Sequence, residues 1–229
     1  MHIHQIKNKQ RMVINKYWLA LVLASAATAN FAAGPSVDIK VQGTITPVAC
    51  TPNISNLGIA DFGSITAGSL RADIYNFLPV KTLNYTITCD AQTKIAIQGI
   101  DNRASSVIPG AGAALWTLAD TEVYGMGSIN NKNVGVFFIV MDPDKYTADS
   151  QAVKVVGSKD GGTTWANSLG YVGGTRIISW SATAGGAPLA FKSLIGTINI
   201  GAALNKSTEL PLTGPIPLDG SATLQIKYL

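Results

Sequence analysis

In this chain of 229 residues the formal charge of +4 is concentrated at one end. Lys7, Lys9, Arg11 and Lys16 have no acidic residue among them, and from Asn30 onward 13 Lys and Arg face 13 Asp and Glu. The body is therefore formally neutral and offers no basic surface to nucleic acid. Both histidines, His2 and His4, also lie in the head, so the body has none for a Ser-His-Asp triad or a zinc site.

The head reads as a secretory signal peptide over residues 1–29. Its basic start is followed by the apolar run "YWLALVLA" (17–24) and then by small residues. That run is less than half of the ~20 apolar residues that span a bilayer. Ala27-Thr28-Ala29 fits the cleavage pattern, and cleavage after Ala33 is the alternative. The rest of the chain is rich in Gly, Thr, Ser, Ala, Val and Ile and contains all ten prolines. Short alternating runs punctuated by Gly, Asn and Pro recur, and no segment supports three turns of amphipathic helix. The expected fold class is all-β.

In chain order, the first alternating segment is "VDIKVQG" (37–43). Cys50 and Cys89 follow, each at the end of or inside a strand-like stretch. In an exported protein an even cysteine count reads as a disulfide. Closing a loop of about 40 residues stabilises by roughly 4 kcal/mol in the chain-entropy picture. Without a C-x-x-C motif, a redox thiol is the lesser reading.

"MDPDKYTAD" (141–149) places Asp142, Asp144 and Asp149 close together but fails the EF-hand spacing, so a Pro-containing turn is expected. "SKDGGTTW" (158–165) fits the Asp-box pattern and reads as one hairpin tip, with Asp160 bonding the turn and Trp165 packed beneath it. Arg71, Arg103 and Arg176 could clamp a carboxylate, as a secreted glycosidase would require. The chain is too short for a six-bladed propeller, and surface pairing is the expected role of these arginines. Trp116, Trp165 and Trp180, with Tyr124 and Tyr171, read mainly as packing residues, sugar stacking being the alternative.

The chain ends on "GSATLQIKYL", where Ala222, Leu224, Ile226 and Tyr228 alternate with Thr223, Gln225 and Lys227 and no turn follows. A terminal strand with one apolar face needs a cover.

The exported head, the alternating segment ending in Gly43, the cysteine seven residues later, the second cysteine 39 residues on, and the aromatic one from the end together resemble a known family. They are similar to the fimbrial subunits of the chaperone–usher pathway of Gram-negative bacteria, nearest the longer β-fimbria major-subunit-like group. The specific matches cover residues 34–100 and 210–229. The resemblance implies an immunoglobulin-like β-sandwich that lacks its last strand. It assigns residues 30–43 as a donor strand, with Val37, Ile39, Val41 and Gly43 facing a neighbour's groove, and 44–229 as the sandwich domain. Ala222, Leu224, Ile226 and Tyr228 would line the accepting groove, and Leu229 would present its carboxylate to a chaperone.

The implied partners are a periplasmic chaperone, an outer-membrane usher and further copies of the same or related subunits, with a host glycan as an additional candidate. The implied location is the cell surface, reached through the periplasm. No enzymatic activity, cofactor or metal is expected. A one-domain glycan-binding adhesin is the alternative, and a secreted glycosidase is the second. Val37 stands where many pilins carry glycine, and so does Ile216 near the C-terminus, which leaves the pocket register open. Long loops are expected over residues 100–190.

Overall fold

The computed structural model describes residues 34–229. The expected signal peptide, both candidate cleavage positions and the first four residues of the expected donor segment lie outside the described residues. Gly34–Ile45 is the described part of a separate unit, and these described residues form no strand or helix. Within it Val37, Ile39, Val41 and Ile45 are 85–98% exposed. The alternating "VDIKVQG" therefore forms no strand of its own sheet in this structure. Without a ladder partner, an extended segment gains nothing from its alternation.

The second unit, Thr46–Leu229, is all-β. Nine strands of three or more residues carry it: β1 (Cys50–Ile54), β2 (Lys81–Thr93), β3 (Ile95–Asp101), β4 (Gly135–Met141), β5 (Tyr146–Ala148), β6 (Gln151–Ser158), β7 (Ile177–Ser181), β8 (Phe191–Leu204) and β9 (Ala222–Tyr228). Every ladder between them is antiparallel. The ladder order is β1-β2-β8-β5-β6-β7-β3-β9, and β4 joins β8 beside β5.

Period-two alternation explains β2, where Leu83, Tyr85, Ile87 and Cys89 are buried between exposed or half-buried neighbours. The same alternation places Leu194 and Ile198 of β8 inward. These meet Ile95 and Ile97 of β3, Val155 of β6, and Ile178 and Trp180 of β7 in one core, so the ladder folds into two facing layers. β6 sews the layers together: Gln151–Val153 pair with β5, and Lys154–Ser158 pair with β7. The expected all-β sandwich is what forms.

Two glycines in β8 are fixed by close approach. A Cβ at Gly196 would run into the ring of Tyr146, and one at Gly201 into the ring of Phe138.

The region 100–190 differs from expectation. It holds β4 to β7 and a short helix, α1 (Ala111–Trp116), rather than long loops. β4, "GVFFIVM", shows no alternation because it is covered on both faces. Phe137 and Ile139 enter the main core, while Val136 and Phe138 face a second cluster with Ile108, Ala111, Leu118 and Val123. The segment 104–123, including α1, supplies that cover.

Candidate functional site

The ladder begins at β1 and ends at β9, and these two edges face one another across an apolar cleft. β1 pairs only with β2, from Cys50↔Cys89 to Ile54↔Tyr85. β9 pairs only with β3, from Ala222↔Asp101 to Tyr228↔Ile95. Among the described residues, neither strand has a partner on its other side. The sandwich is thus sewn along β6 and unsewn along the seam between β1 and β9.

Ala222, Leu224 and Ile226 are half-buried and pack on the main core, while Thr223, Gln225 and Lys227 are exposed. The sequence alternation therefore maps correctly onto one wall of the seam. Tyr228 lies at the lip, 53% exposed, and its Oη accepts a hydrogen bond from the Cys50 amide at 2.9 Å. That bond links the two edges and closes one end of the seam. Leu229 is 48% exposed, and its amide donates to the Lys94 carbonyl at 3.1 Å.

Toward Ala222 the seam widens into a cavity of about 580 Å³. Ile54, Leu57, Ile59 and Phe62 form the β1 side; Leu218, Ala222 and Leu224 form the β9 side; Tyr85, Phe137 and Ile198 lie at its floor. Leu57 is 92% and Ile59 56% exposed on the rim, and Asn56 and Leu57 both adopt φ of 53°. Positive φ is costly for a leucine, and such strain concentrates where a segment is positioned for use. The Tyr85 hydroxyl is buried with no hydrogen-bond partner, and burial pushes its pKa up. It remains a neutral phenol in an apolar floor.

Cys50 and Cys89 form a disulfide with S–S 2.07 Å, directly across the β1–β2 register. This bridge fixes β1 to the body and so holds one wall of the seam in place.

The remaining residues singled out in the sequence resolve into structural roles. In the 158–165 turn Asp160 accepts from the Ser158 hydroxyl (2.7 Å), the Thr164 hydroxyl (2.6 Å) and the Thr164 amide (2.9 Å). These donors, the Ser158 hydroxyl first, hold its carboxyl well below the usual range. Trp165 Nε1 donates to the Gly162 carbonyl at 3.0 Å, so the turn is the expected hairpin tip.

Asp142, Asp144 and Asp149 diverge. Asp142 closes the Pro143 turn through the Lys145 amide (3.2 Å). Asp144 pairs with Lys154 (2.8 Å), and Asp149 accepts from the Lys192 and Ser193 amides. Arg103 grips Asp219 through two hydrogen bonds of 2.8 and 3.0 Å, Arg176 pairs with Glu122 at 2.6 Å, and Arg71 is exposed. The three arginines share no site. Trp180 and Tyr124 are core residues, whereas Trp116, Trp165 and Tyr171 are half-buried. Among the described residues no group of three His, Cys, Asp or Glu could hold a metal ion.

The β1 side of the seam was not read from the sequence. Its signal is faint: Ile54, Leu57, Ile59 and Phe62 recur among Asn and Gly residues that read as turn.

Residues 39–138 match a family described as "Protein of unknown function (DUF1120)". The chain is 27% identical over 228 residues to "Uncharacterized protein YhcF" of Escherichia coli (strain K12), covering 89% of this chain and 94% of that protein. It is 28% identical over 249 residues to "Protein GltF" of the same strain, covering 92% and 96%. Both similarities extend over nearly the whole length of the chains compared.

Proposed function

We propose that this chain is a non-enzymatic structural subunit of a chaperone–usher type fimbria, exported and assembled by strand donation between copies. One observation carries the reading: the two unpartnered edges, β1 and β9, flank a single apolar cleft. A strand inserted there would form ladders on both sides and cover Ala222, Leu224 and Ile226. The exposed alternation of Val37, Ile39 and Val41, ending in Gly43, supplies a segment of matching pattern. Seven residues of β9 extend about 23 Å and the segment 34–45 up to about 40 Å, so reach is not limiting. Before assembly the same cleft would be served by a periplasmic chaperone, with Tyr228 and Leu229 at the contact, and export of the fibre would use an outer-membrane usher.

The test is assembly of the oxidised, purified chain. The unaltered protein is expected to form a ladder of multimers. Ile39→Asp with Val41→Asp should stop chain growth while leaving the cleft able to accept the 34–45 peptide of an unaltered copy. Leu224→Asp should leave donation intact and abolish acceptance. Multimers unaffected by both variants would overturn the reading.

A further inference from the structure

We propose that a second cavity, beside the Asp160 turn and lined by none of the seam residues, binds an acidic saccharide. It measures about 610 Å³, within the ~300–1,000 Å³ typical of small-ligand sites. Trp116 and Tyr171 stand in its wall. Both rings pack edge-on against Phe138, at 4.7 and 5.5 Å between centroids, so they are held in place before any ligand arrives. Fixed aromatic faces suit the apolar C–H faces of a pyranose, whose hydroxyls then need donors and acceptors at the rim.

The rim provides them. The exposed Asn167 amide carries both a donor and an acceptor and makes no side-chain hydrogen bond among the described residues. Ser168 Oγ accepts from the Gly170 amide at 3.1 Å and keeps its own O–H free to donate. Charge then selects the class of sugar. Two cations line the cavity, and no acidic residue does. Arg176 is already balanced by Glu122 at 2.6 Å, whereas Lys159 is exposed and forms no ion pair among the described residues. A carboxylate-bearing saccharide supplies the missing partner, and a neutral one does not.

The experiment is titration of the full, disulfide-intact chain with sialyllactose, a glucuronate-terminated disaccharide and lactose. Binding is followed by tryptophan fluorescence and by saturation transfer from protein to sugar. The acidic sugars should bind about two- to fivefold more tightly than lactose at low salt, the range of one exposed ion pair, with the difference shrinking as salt rises. Lys159→Gln should remove that preference and keep lactose binding, and Asn167→Ala should weaken all three sugars. Both side chains are exposed, so unchanged thermal unfolding serves as the control for fold. No saturation transfer at about 10 mM sugar would overturn the proposal, since that corresponds to less than about 3 kcal/mol of binding. Equal affinity for acidic and neutral sugars, an acidic preference that persists in Lys159→Gln, or affinities unchanged by Asn167→Ala would also overturn it. Because neither residue belongs to the seam, these results are independent of fibre assembly.

Discussion

Moving residues 34–45 to follow Leu229 through a short flexible linker, in a chain begun at Thr46, should convert the donor segment into a hairpin partner of β9. The informative comparison is between this chain and the same chain with Ile39→Ala and Val41→Ala in the transplanted segment. Both chains order the same backbone and form the same ladders, so those large opposing terms cancel. What remains is side-chain burial. Ile39 is 86% and Val41 95% exposed, so nearly all of their area is available to be covered. Burying such a side chain is worth about 1.5–3 kcal/mol, and truncation to alanine forfeits most of it, giving about 3–5 kcal/mol for the pair. In a domain of this size each kcal/mol moves the melting temperature by roughly 2–4 °C, so the alanine version should melt on the order of 10 °C lower. Differential scanning calorimetry of the monomeric fractions reads this directly. If the two versions melt together, and no higher than the chain without any transplanted segment, the seam does not take up residues 37–41 and the functional reading is wrong.

Tyr228→Phe removes the hydroxyl that joins the edges and should cost about 0.5–1.5 kcal/mol in urea unfolding, with faster hydrogen exchange at the Cys50 amide. Reducing the Cys50–Cys89 bridge, which closes a separation of 39 residues, should lower stability by about 4 kcal/mol, seen as a shift of the denaturant midpoint. Gly201→Ala forces a Cβ against the Phe138 ring and should destabilise by about 1–3 kcal/mol. Gly214→Ala, which meets nothing, should stay within about 0.5 kcal/mol of the parent. Asp149 and Asp160 have carboxyls held low, chiefly by the Ser193 amide and the Ser158 hydroxyl respectively. Their folded pKa values lie below the unfolded value of about 3.9, so their contribution is complete above about pH 4 and declines as pH falls through the folded values. Asp149→Asn should lower the stability plateau near neutral pH and flatten the acid limb, so that the two profiles converge at low pH.

Local patterns were readable where the physics was local. β9 announced itself through Ala222, Leu224 and Ile226 because one of its faces meets the core and the other meets water. The Asp160 turn was readable because every partner of that carboxylate lies within four residues of it. The disulfide was readable from the even cysteine count together with a head that reads as a signal peptide. What escaped is non-local. β4 lost its alternation because the 104–123 segment, distant from it in sequence, covers its outer face. The β1 wall of the seam looked like turn because its apolar residues are set by what lies across the cleft. The alternation of residues 37–43 suited a strand in either a home sheet or a foreign one, and periodicity cannot distinguish the two.

The double allegiance of β6 has a mechanical consequence. With Gln151–Val153 bound to one layer and Lys154–Ser158 to the other, the molecule is built like a book, with a stitched spine and a loose fore-edge. At the fore-edge one hydrogen bond, from the Cys50 amide to Tyr228, joins the two edges, whereas the spine yields only if the ladder of β6 with β5 or with β7 is broken. Wedging the pages open and swapping what lies between them is therefore the cheapest large rearrangement available to this fold, and it leaves the binding intact.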